Sequence, residues 1–519
     1  QDDLQPGMFY FMKPGIVSAI SLLLLIIPVG CRNDHPEENT VLDGKYWRDQ
    51  AINDILPYWS EYSVDSDSGA FITNLGADWD PGSDSHKYPS MIGRHIFSYS
   101  AAYLMTGNEE YLDIAKKTRD FLLEHAWDDE HGGWYNVLQR DGTPSVTSKN
   151  IFIQTYALTG LAMYYLVTRD REVLRYIEKT DSLLEASLLD MANGGYYNMA
   201  RQDWQVIDSN KSFASQVAPV SGYLLYMYLA TNDHAYLSRS QRIMDCVSYR
   251  MKDAESGWIL EYFDKDWNII ESDPDIINVG HNLEVAWMLL RLGMLNNTGK
   301  MSGDALQLDD SLFIKAYLKD SGYWHTTLGR NNAGMTDDFT YWWVQAYGNM
   351  YSLYSYRVSG RPERIDQFRK GAEFWDRCFL DRENGDTYTS VLVSGDAKDS
   401  TKANPYKTSY HSIEQCLLNY LYLNLWVNNE PVRLYFHIAQ PHEGDLLFPV
   451  PIEDMNIVVE NAKYEGSSGR GRLICNERSV SLPDAETARV MVTIRNKSFN
   501  DRQGKFLINN FTQTEEQLK

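Results

Sequence analysis

The chain has 519 residues, of which 43% are hydrophobic and 13% aromatic, so it is long enough to build a large core. Its 71 acidic residues outnumber its 48 basic residues, and the formal net charge is −23. A surface this acidic repels phosphate backbones, which argues against a nucleic-acid partner and weakly against polyanionic substrates.

Residues 16–30, IVSAISLLLLIIPVG, form a long apolar run that follows Lys13 and precedes Cys31. A run of about 15 residues is short for a membrane span, but it is typical of a secretory signal. PVGC resembles a bacterial lipobox, so Cys31 is the expected lipidation site. We therefore interpret residues 1–35 as a signal and linker. The expected product is an exported bacterial lipoprotein at the periplasm or cell surface, held to the membrane only by its lipid anchor, with plain secretion as the alternative.

A short turn motif recurs six times, with acidic or polar residues before a glycine and an aromatic residue close behind it. Successive glycines are 64, 62, 62, 65 and 63 residues apart, at Gly69, Gly133, Gly195, Gly257, Gly322 and Gly385. A near-constant period of this length indicates a repeat architecture in which each copy is one supersecondary unit.

Pairs of helical patterns lie between the turns. In residues 152–170 the first pattern is apolar on nearly every side, whereas in residues 171–188 the second has apolar residues on one face. We therefore expect the first helix of each pair to be enclosed and the second to face water. Six such hairpins over residues 45–428 predict a mainly α fold, an (α/α)6 toroid or barrel. An open helical solenoid is the alternative, but it requires capping repeats that the sequence does not show.

The pattern changes after residue 428, where short β-branched runs are separated by Gly, Pro and Asn. These runs predict a small β-rich appendage over residues 429–510.

The four cysteines beyond Cys31 are scattered, at Cys246, Cys378, Cys416 and Cys475. They form no CxxC pair and no metal-ligand spacing, so neither a zinc site nor a disulfide scaffold is expected. We interpret them as buried free thiols.

Chemically active residues share one phase of the repeat. Counted from the repeat glycines, Arg94 falls at +25, His281 at +24 and His411 at +26. If the toroid is correct, these three side chains converge at one mouth of the barrel. Tyr156, at +23, and Tyr347, at +25, share the same phase.

Each of these residues also has a structural interpretation. Arg94 could form an ion pair at a helix end, His281 could cap a helix after Gly280, and His411 could be a core histidine. The shared phase favours a functional cluster instead. Aromatic walls with a few polar groups are how proteins hold sugar rings, and the aromatic neighbours here are Trp342, Trp343, Tyr347 and Tyr410.

Five motifs over roughly residues 45–425 resemble the N-acylglucosamine 2-epimerase superfamily, which includes cellobiose and mannobiose 2-epimerases and aldose–ketose isomerases. In chain order they are GRHIFSYSAAYLMTGNEEYLDIA, DDEHGGWYNVLQRDG, GHNLEVAWMLL, YWWVQAY and YKTSYH.

The resemblance implies that His281 and His411 are an acid/base pair. It also implies that Arg94 and Glu284 support the substrate and the histidines. We place Trp343, Gln345, Tyr347 and Tyr410 with them as candidate substrate contacts. Inversion at C2 of a sugar needs two groups that exchange protons near neutral pH, and imidazoles do so. No metal, nucleotide or other cofactor is expected.

Three positions differ from the family pattern. Val217 and Pro219 occupy places on the third inner helix where a histidine is common. Tyr347 stands where the family has glutamate, and Asn282 where it has aspartate.

The sequence therefore predicts a sugar 2-epimerase or aldose–ketose isomerase that acts on a free reducing sugar or short oligosaccharide through an enediolate. Two alternatives stay open. One is a glycoside hydrolase on the same barrel, such as one that removes unsaturated uronyl residues, with Asp337 and Asp338 as its candidate carboxylates. The other is a lipid-anchored saccharide-binding protein without turnover.

Overall fold

A computed structural model describes residues 40–270, 275–296, 299–331, 337–465 and 472–499. The apolar run 16–30 and Cys31 lie outside these residues. Within the described part of the chain, helices form two concentric rings, and the predicted (α/α)6 toroid is confirmed.

The inner ring contains α3 (Pro89–Thr106), α5 (Ile151–Thr168), α7 and α8 (Phe213–Gln216 and Leu225–Thr231), α10 (Val279–Asn296), α12 (Trp342–Ser359) and α14 (Tyr410–Tyr422). The outer ring contains α1 and α2 (Gly44–Gln50 and Leu56–Tyr62), α4 (Glu109–Phe121), α6 (Arg171–Ser187), α9 (His234–Cys246), α11 (Gly299–Ser311) and α13 (Glu363–Phe374). Several of these helices continue into a π-helical turn, as α4 does over Leu122–Ala126.

The α5–α6 pair shows why inner and outer helices differ in sequence. Helix α5 has a mean hydropathy of 1.3, and 83% of its residues are buried, because neighbouring helices enclose it. The buried residues of α6 are Val173, Ile177, Thr180 and Leu184, which recur at helical spacing on one face. The apolar stripe thus docks α6 on the inner ring and leaves its charged face in water.

The ring closes between the two ends of the helical region. Helix α1 packs against α14, so the first helix of the toroid is the outer partner of the last inner helix. The indole of Trp375 donates to the Gln50 side chain at 3.0 Å. The indole of Trp79 donates to the Asn384 carbonyl at 2.8 Å. These contacts join the N-terminal helix and the first repeat to the fifth and sixth repeats, which excludes the open solenoid.

Short antiparallel strands connect the helices within and between repeats. They are β1 (Val137–Leu138), β2 (Pro144–Val146), β3 (Lys149–Asn150), β4 (Met199–Ala200), β5 (Val206–Asp208), β6 (Lys211–Ser212), β7 (Tyr262–Phe263), β8 (Ile276–Asn278), β9 (Tyr317–Leu318), β10 (Tyr323–Trp324), β11 (Thr327–Gly329), β12 (Phe339–Tyr341), β13 (Ser390–Leu392) and β14 (Ala397–Asp399).

A buried ion pair holds the glycine turn of most repeats to the start of the next inner helix. Asp128 opens the turn, and its carboxylate accepts from Lys149 at 2.9 Å, with both side chains fully buried. Gly133, in the same turn, has a φ of +74°, a conformation that favours glycine. Equivalent pairs join Asp65 to Lys87, Asp190 to Lys211 and Asp381 to Lys402, with Nζ–Oδ2 distances of 2.7 to 2.9 Å.

A side-chain amide makes a second link between turn and helix. The fourth residue of α5, Gln154, accepts from the Trp134 N–H at 2.8 Å and donates to the Trp134 carbonyl at 2.6 Å. Asn282 is the fourth residue of α10 and makes the same paired contact with Ile259, at 2.9 and 3.1 Å. Asn282, one of the departures from the family pattern, therefore holds backbone in place.

The C-terminal segment forms two three-stranded antiparallel sheets. The strands are β15 (Val432–Ala439), β16 (Leu446–Leu447), β17 (Ile457–Tyr464), β18 (Ile474–Cys475), β19 (Val480–Ser481) and β20 (Thr487–Asn496). One sheet has the strand order β15–β20–β17, and the other has the order β16–β19–β18. Strand β15 packs against the inner helices α3 and α5.

The four described cysteines are free thiols, but they are not all buried. Cys378 and Cys416 are buried, Cys246 is half-buried and Cys475 is exposed. The expectation of buried thiols is therefore wrong for Cys475, which lies on the short strand β18.

We predict that Asp128→Asn destabilises the fold by about 3–5 kcal/mol, because it leaves the Lys149 ammonium buried without a counter-charge. Denaturant unfolding followed by circular dichroism measures this loss. The control is Lys116→Gln, which removes a solvent-exposed i,i+4 pair with Asp120 and should cost less than about 1 kcal/mol. Equal losses for the two variants would contradict the structural role of the buried pair.

Candidate active site

Inner helices bring four polar side chains to the same level of the barrel. Each is the sixth residue of its helix: Arg94 in α3, Tyr156 in α5, Glu284 in α10 and Tyr347 in α12. All four are buried. The glycine count instead predicted His281 at this level, but the structure places His281 one turn nearer the start of α10.

His281 lies between an aromatic ring and a carboxylate. Its imidazole stacks on Phe213, with ring centroids 3.8 Å apart and planes 10° apart. Its Nδ1 is hydrogen-bonded to the carboxylate of Glu261, and its side chain is 29% exposed. Burial alone would lower the pKa of His281, but Glu261, helped by Glu284, raises that pKa above its ordinary value. Glu261 therefore favours the imidazolium form of His281, whose ring a solute can reach.

His411 lies in a more apolar environment. Its ring centroid is 4.7 Å from that of Tyr410, 5.3 Å from that of Tyr347 and 5.9 Å from that of Trp342. Burial, together with the positive charges of Arg94 and His281, lowers the pKa of His411 well below its ordinary value. His411 is therefore a neutral imidazole at neutral pH.

Trp343 contacts both histidines. The centroid of its half-buried ring is 5.3 Å from that of His281 and 6.3 Å from that of His411. The two imidazoles, with opposite pKa shifts, therefore face one aromatic wall. A neutral and a protonated imidazole form a base and an acid that are ready for a single proton-transfer cycle.

Arg94 places a positive charge beside this pair. Its guanidinium lies 4.0 Å over the Tyr156 ring and 5.9 Å from the Tyr410 ring, and it donates to the Tyr406 carbonyl at 2.9 Å. Among the described residues its Nε has no hydrogen-bond partner. A buried guanidinium with a free donor can stabilise negative charge that develops on a bound molecule.

The sequence predicted that Glu284 supports the histidines, but the carboxylate hydrogen-bonded to the His281 imidazole is that of Glu261. Sequence reasoning missed Glu261, which directly precedes the short strand β7 and lies 20 residues before His281. Burial raises the pKa of Glu284 above its ordinary value. In the described part of the chain its Oε1 has no hydrogen-bond partner, so it can bind a hydroxyl group.

A second carboxyl that sequence reasoning missed, Glu414, lies one turn after His411. Its Oε2 is 3.8 Å from the His411 Nδ1, and its Oε1 accepts from the Tyr410 hydroxyl at 3.1 Å. Burial raises the pKa of Glu414 to about 8. Tyr410 therefore supports Glu414, and the spacing His-x-x-Glu, shared by His281–Glu284 and His411–Glu414, was the available signal.

Two groups of candidates lie outside this cluster. Gln345 is buried, and its amide accepts from the Trp324 N–H at 3.1 Å and donates to the Gly322 carbonyl at 2.9 Å. It holds the fifth turn, as Gln154 holds the second, so its expected contact with substrate is corrected. Asp338 is 82% exposed, and the Asp337 carboxylate accepts from the Thr327 hydroxyl at 2.5 Å.

Among the residues that the structure describes, His, Cys, Asp and Glu side chains form no group of three or more that could hold a metal ion.

The chain resembles known proteins along most of the toroid. A sequence model of the family described as N-acylglucosamine 2-epimerase (GlcNAc 2-epimerase) matches residues 71–415. A cellobiose 2-epimerase of Bacteroides fragilis is 26% identical over 386 residues, covering 70% of this chain and 95% of the relative. An N-acylglucosamine 2-epimerase of Mus musculus is 25% identical over 401 residues, covering 73% of this chain and 92% of the relative.

A solved structure has the same fold. The cellobiose 2-epimerase from Bacillus thermoamylovorans superposes with a TM-score of 0.67 at 23% identity, covering 73% of this chain and 98% of that structure.

We predict that Glu261→Gln lowers the pKa of His281, because it removes the carboxylate that stabilises the imidazolium while keeping the shape of the side chain. Nuclear magnetic resonance of 15N-histidine-labelled protein across a pH series measures this change. His411 is the internal control, and its resonance should stay that of a neutral imidazole through pH 7. An unchanged His281 titration would contradict the assignment of Glu261.

Proposed function

Because the chain belongs to the N-acylglucosamine 2-epimerase family, we propose that it is a cofactor-independent sugar 2-epimerase acting on a free reducing sugar or short oligosaccharide. Aldose–ketose isomerisation is the related outcome of the same chemistry. The observation that carries the proposal is the pair of imidazoles with opposite pKa shifts against one tryptophan, His281 and His411.

The proposed reaction begins on the open-chain aldose, whose C1 carbonyl acidifies the proton on C2. Neutral His411 removes this proton, and the C2–H electron pair becomes the C1–C2 double bond of an enediolate. Arg94 stabilises the negative charge on the enediolate oxygens. His281 then delivers a proton to the opposite face of C2, which gives the epimer. Delivery to C1 instead, with the C2 hydroxyl losing its proton, gives the ketose.

The two protonation states predict which groups limit the rate at each pH. His411 must be neutral, so its protonation sets the acidic limb of kcat/KM. His281 must be protonated, so its deprotonation sets the basic limb. The downward shift of the His411 pKa moves the acidic limb to lower pH, and the upward shift of the His281 pKa moves the basic limb to higher pH.

The names of two relatives also support a sugar 2-epimerase activity. Both the cellobiose 2-epimerase of Bacteroides fragilis and the N-acylglucosamine 2-epimerase of Mus musculus are named for inversion at C2 of a sugar. This agreement favours epimerisation over isomerisation as the main reaction. A hydrolase is less well supported, because Asp338 is exposed and the Asp337 carboxylate accepts from the Thr327 hydroxyl.

The proton transfer is tested by incubating the protein with reducing mono- and disaccharides, including cellobiose, in D2O and following deuterium at C2 by NMR. We expect exchange in the natural protein and a loss of at least about 100-fold in His281→Asn and His411→Asn, because each variant removes one proton-transfer group. The control His442→Asn changes an exposed histidine of the C-terminal segment and should exchange normally.

The other outcomes distinguish the alternatives. New reducing ends without exchange at C2 would identify a hydrolase. Saturable sugar binding without exchange or cleavage would identify a binding protein, and either result would overturn the epimerase proposal.

We also propose that the protein is an exported lipoprotein acylated at Cys31. The support is the apolar run 16–30 that leads into PVGC. Bacterial cells that express the full chain should incorporate labelled palmitate into it, and Cys31→Ser should abolish the incorporation. Equal labelling of Cys31→Ser would contradict the proposal, and the control Cys475→Ser should label normally.

A further inference from the structure

A residue of the C-terminal segment reaches into the helical barrel. The carboxylate of Glu453 accepts from the Nε of Arg291 at 2.8 Å and from the Tyr354 hydroxyl at 3.2 Å. The Glu453 side chain is fully buried, and that of Arg291 is 1% exposed. Arg291 belongs to α10, the helix that carries His281. The segment between β16 and β17 therefore supplies the counter-charge of an inner-ring arginine.

Arg291 is connected to the active site through one tyrosine. Its guanidinium lies 5.5 Å from the centre of the Tyr226 ring, and the Tyr226 hydroxyl contacts Oε1 of Glu414 at 3.4 Å. Glu414 in turn lies 3.8 Å from the Nδ1 of His411. A continuous path of packed polar groups thus runs from Glu453 to His411.

We propose that Glu453 is a positioning residue of the active site, because by neutralising Arg291 it keeps the Glu414 carboxyl protonated and the His411 imidazole neutral. The inference rests on the proposed function in one respect, namely that neutral His411 is the base. The match to the family model ends at residue 415, so Glu453 lies outside the part of the chain that the family shares. The C-terminal sheets are then part of the catalytic apparatus as well as of the fold.

Charged and polar groups around Glu414 and His411 influence the protonation states of both side chains. Glu414 is faced by Arg291 and Glu284 from α10, by Tyr226 from α8 and by its own neighbour Tyr410. Burial raises the pKa of Glu414 to about 8, and Arg291 is the neighbouring group that lowers this pKa most.

His411 has neighbours of both signs. It is faced by Arg94 from α3, His281 from α10, Tyr347 from α12 and Glu414 from its own helix. Both cations favour its neutral form. Ionisation of Glu414 would favour the imidazolium, because its carboxyl lies 3.8 Å from the His411 Nδ1.

Removal of the Glu453 charge has a calculable sign. In Glu453→Gln, Arg291 keeps its charge and loses its ion-pair partner, so Glu414 becomes the anion that best compensates it. Glu414 then ionises at lower pH, and the new negative charge raises the pKa of His411. The base is therefore protonated over more of the acidic range, and the acidic limb of kcat/KM moves to higher pH.

The test measures the pH profile of deuterium exchange at C2 for the intact protein. We expect the acidic limb to move up by about one pH unit in Glu453→Gln, which is about a tenfold loss of kcat/KM at the acidic end. The profiles should converge above pH 8, where Glu414 also ionises in the natural protein. In the double variant Arg291→Met with Glu453→Met both charges are gone, and the limb should return toward its natural position.

A matched control separates the charge effect from loss of docking. Asp454 is adjacent, is 2% exposed, and accepts from Arg357 and Trp426 at 2.8 and 3.1 Å rather than from Arg291. Asp454→Asn weakens the same segment and should leave the acidic limb in place. Equal shifts in Asp454→Asn and Glu453→Gln, or no shift in Glu453→Gln, would overturn the proposal.

Two spectroscopic measurements remain informative without catalysis. Infrared spectra at neutral pH should contain a protonated-carboxyl band that Glu414→Gln removes, and its absence from the natural protein would overturn the proposal even if Glu453→Gln fails to fold. NMR of labelled histidine should detect the raised pKa of His411 in Glu453→Gln. These readouts need no substrate. A protein that shows both but no deuterium exchange at C2 would contradict the epimerase assignment, and the proposed effect of Glu453 on Glu414 and His411 would still hold.

Discussion

The buried ion pair between a turn aspartate and the lysine that precedes the next inner helix is the contact on which the barrel depends. Burial of either charge alone is costly, so both must be paired and hydrogen-bonded. Lys87 meets this demand with Asp65 at 2.9 Å and with the carbonyls of Gly69 and Phe71 at 2.7 and 3.3 Å. The pair therefore fixes the distance between a turn and a helix that begin about 20 residues apart.

The links between turns and inner helices set the level of the active-site residues. The ion pair holds the starts of α3 and α5, and side-chain amides hold the starts of α10 and α12. The sixth residues of these helices, Arg94, Tyr156, Glu284 and Tyr347, come to one height around the ring. The amide links of Gln154 and Asn282 prevent the helices from rotating about their axes. This rigidity lets the centre hold groups that share few hydrogen bonds with the protein and remain free to bind a ligand.

The two histidines differ in pKa because a carboxylate is hydrogen-bonded to His281, whereas burial and the positive charges of Arg94 and His281 act on His411. Glu261 is hydrogen-bonded directly to His281 and acts as a negative charge. Glu414 lies 3.8 Å from His411, and its raised pKa of about 8 leaves it protonated at neutral pH. The same two residue types, His and Glu, thus give an acid at His281 and a base at His411. Burial accounts for the difference between them.

The repeat and the two rings of helices were predictable from the amino-acid sequence, and the shared phase of the repeat predicted that Arg94, His281 and His411 lie near one another. Turn glycines, apolar periodicity and a constant period are local signals, which need no knowledge of distant contacts. Phase counting was accurate only to about one helical turn, because the turns and the helix starts vary in length. Gln345 carried no local sign that its amide faces the fifth turn.

Which side chains face one another could not be predicted from local sequence patterns. Glu261 on His281, Lys149 on Asp128 and Glu453 on Arg291 are separated along the chain by 20, 21 and 162 residues. Their pairing depends on how the ring closes and on where the C-terminal segment enters it, and the protonation states of the two histidines follow from those contacts.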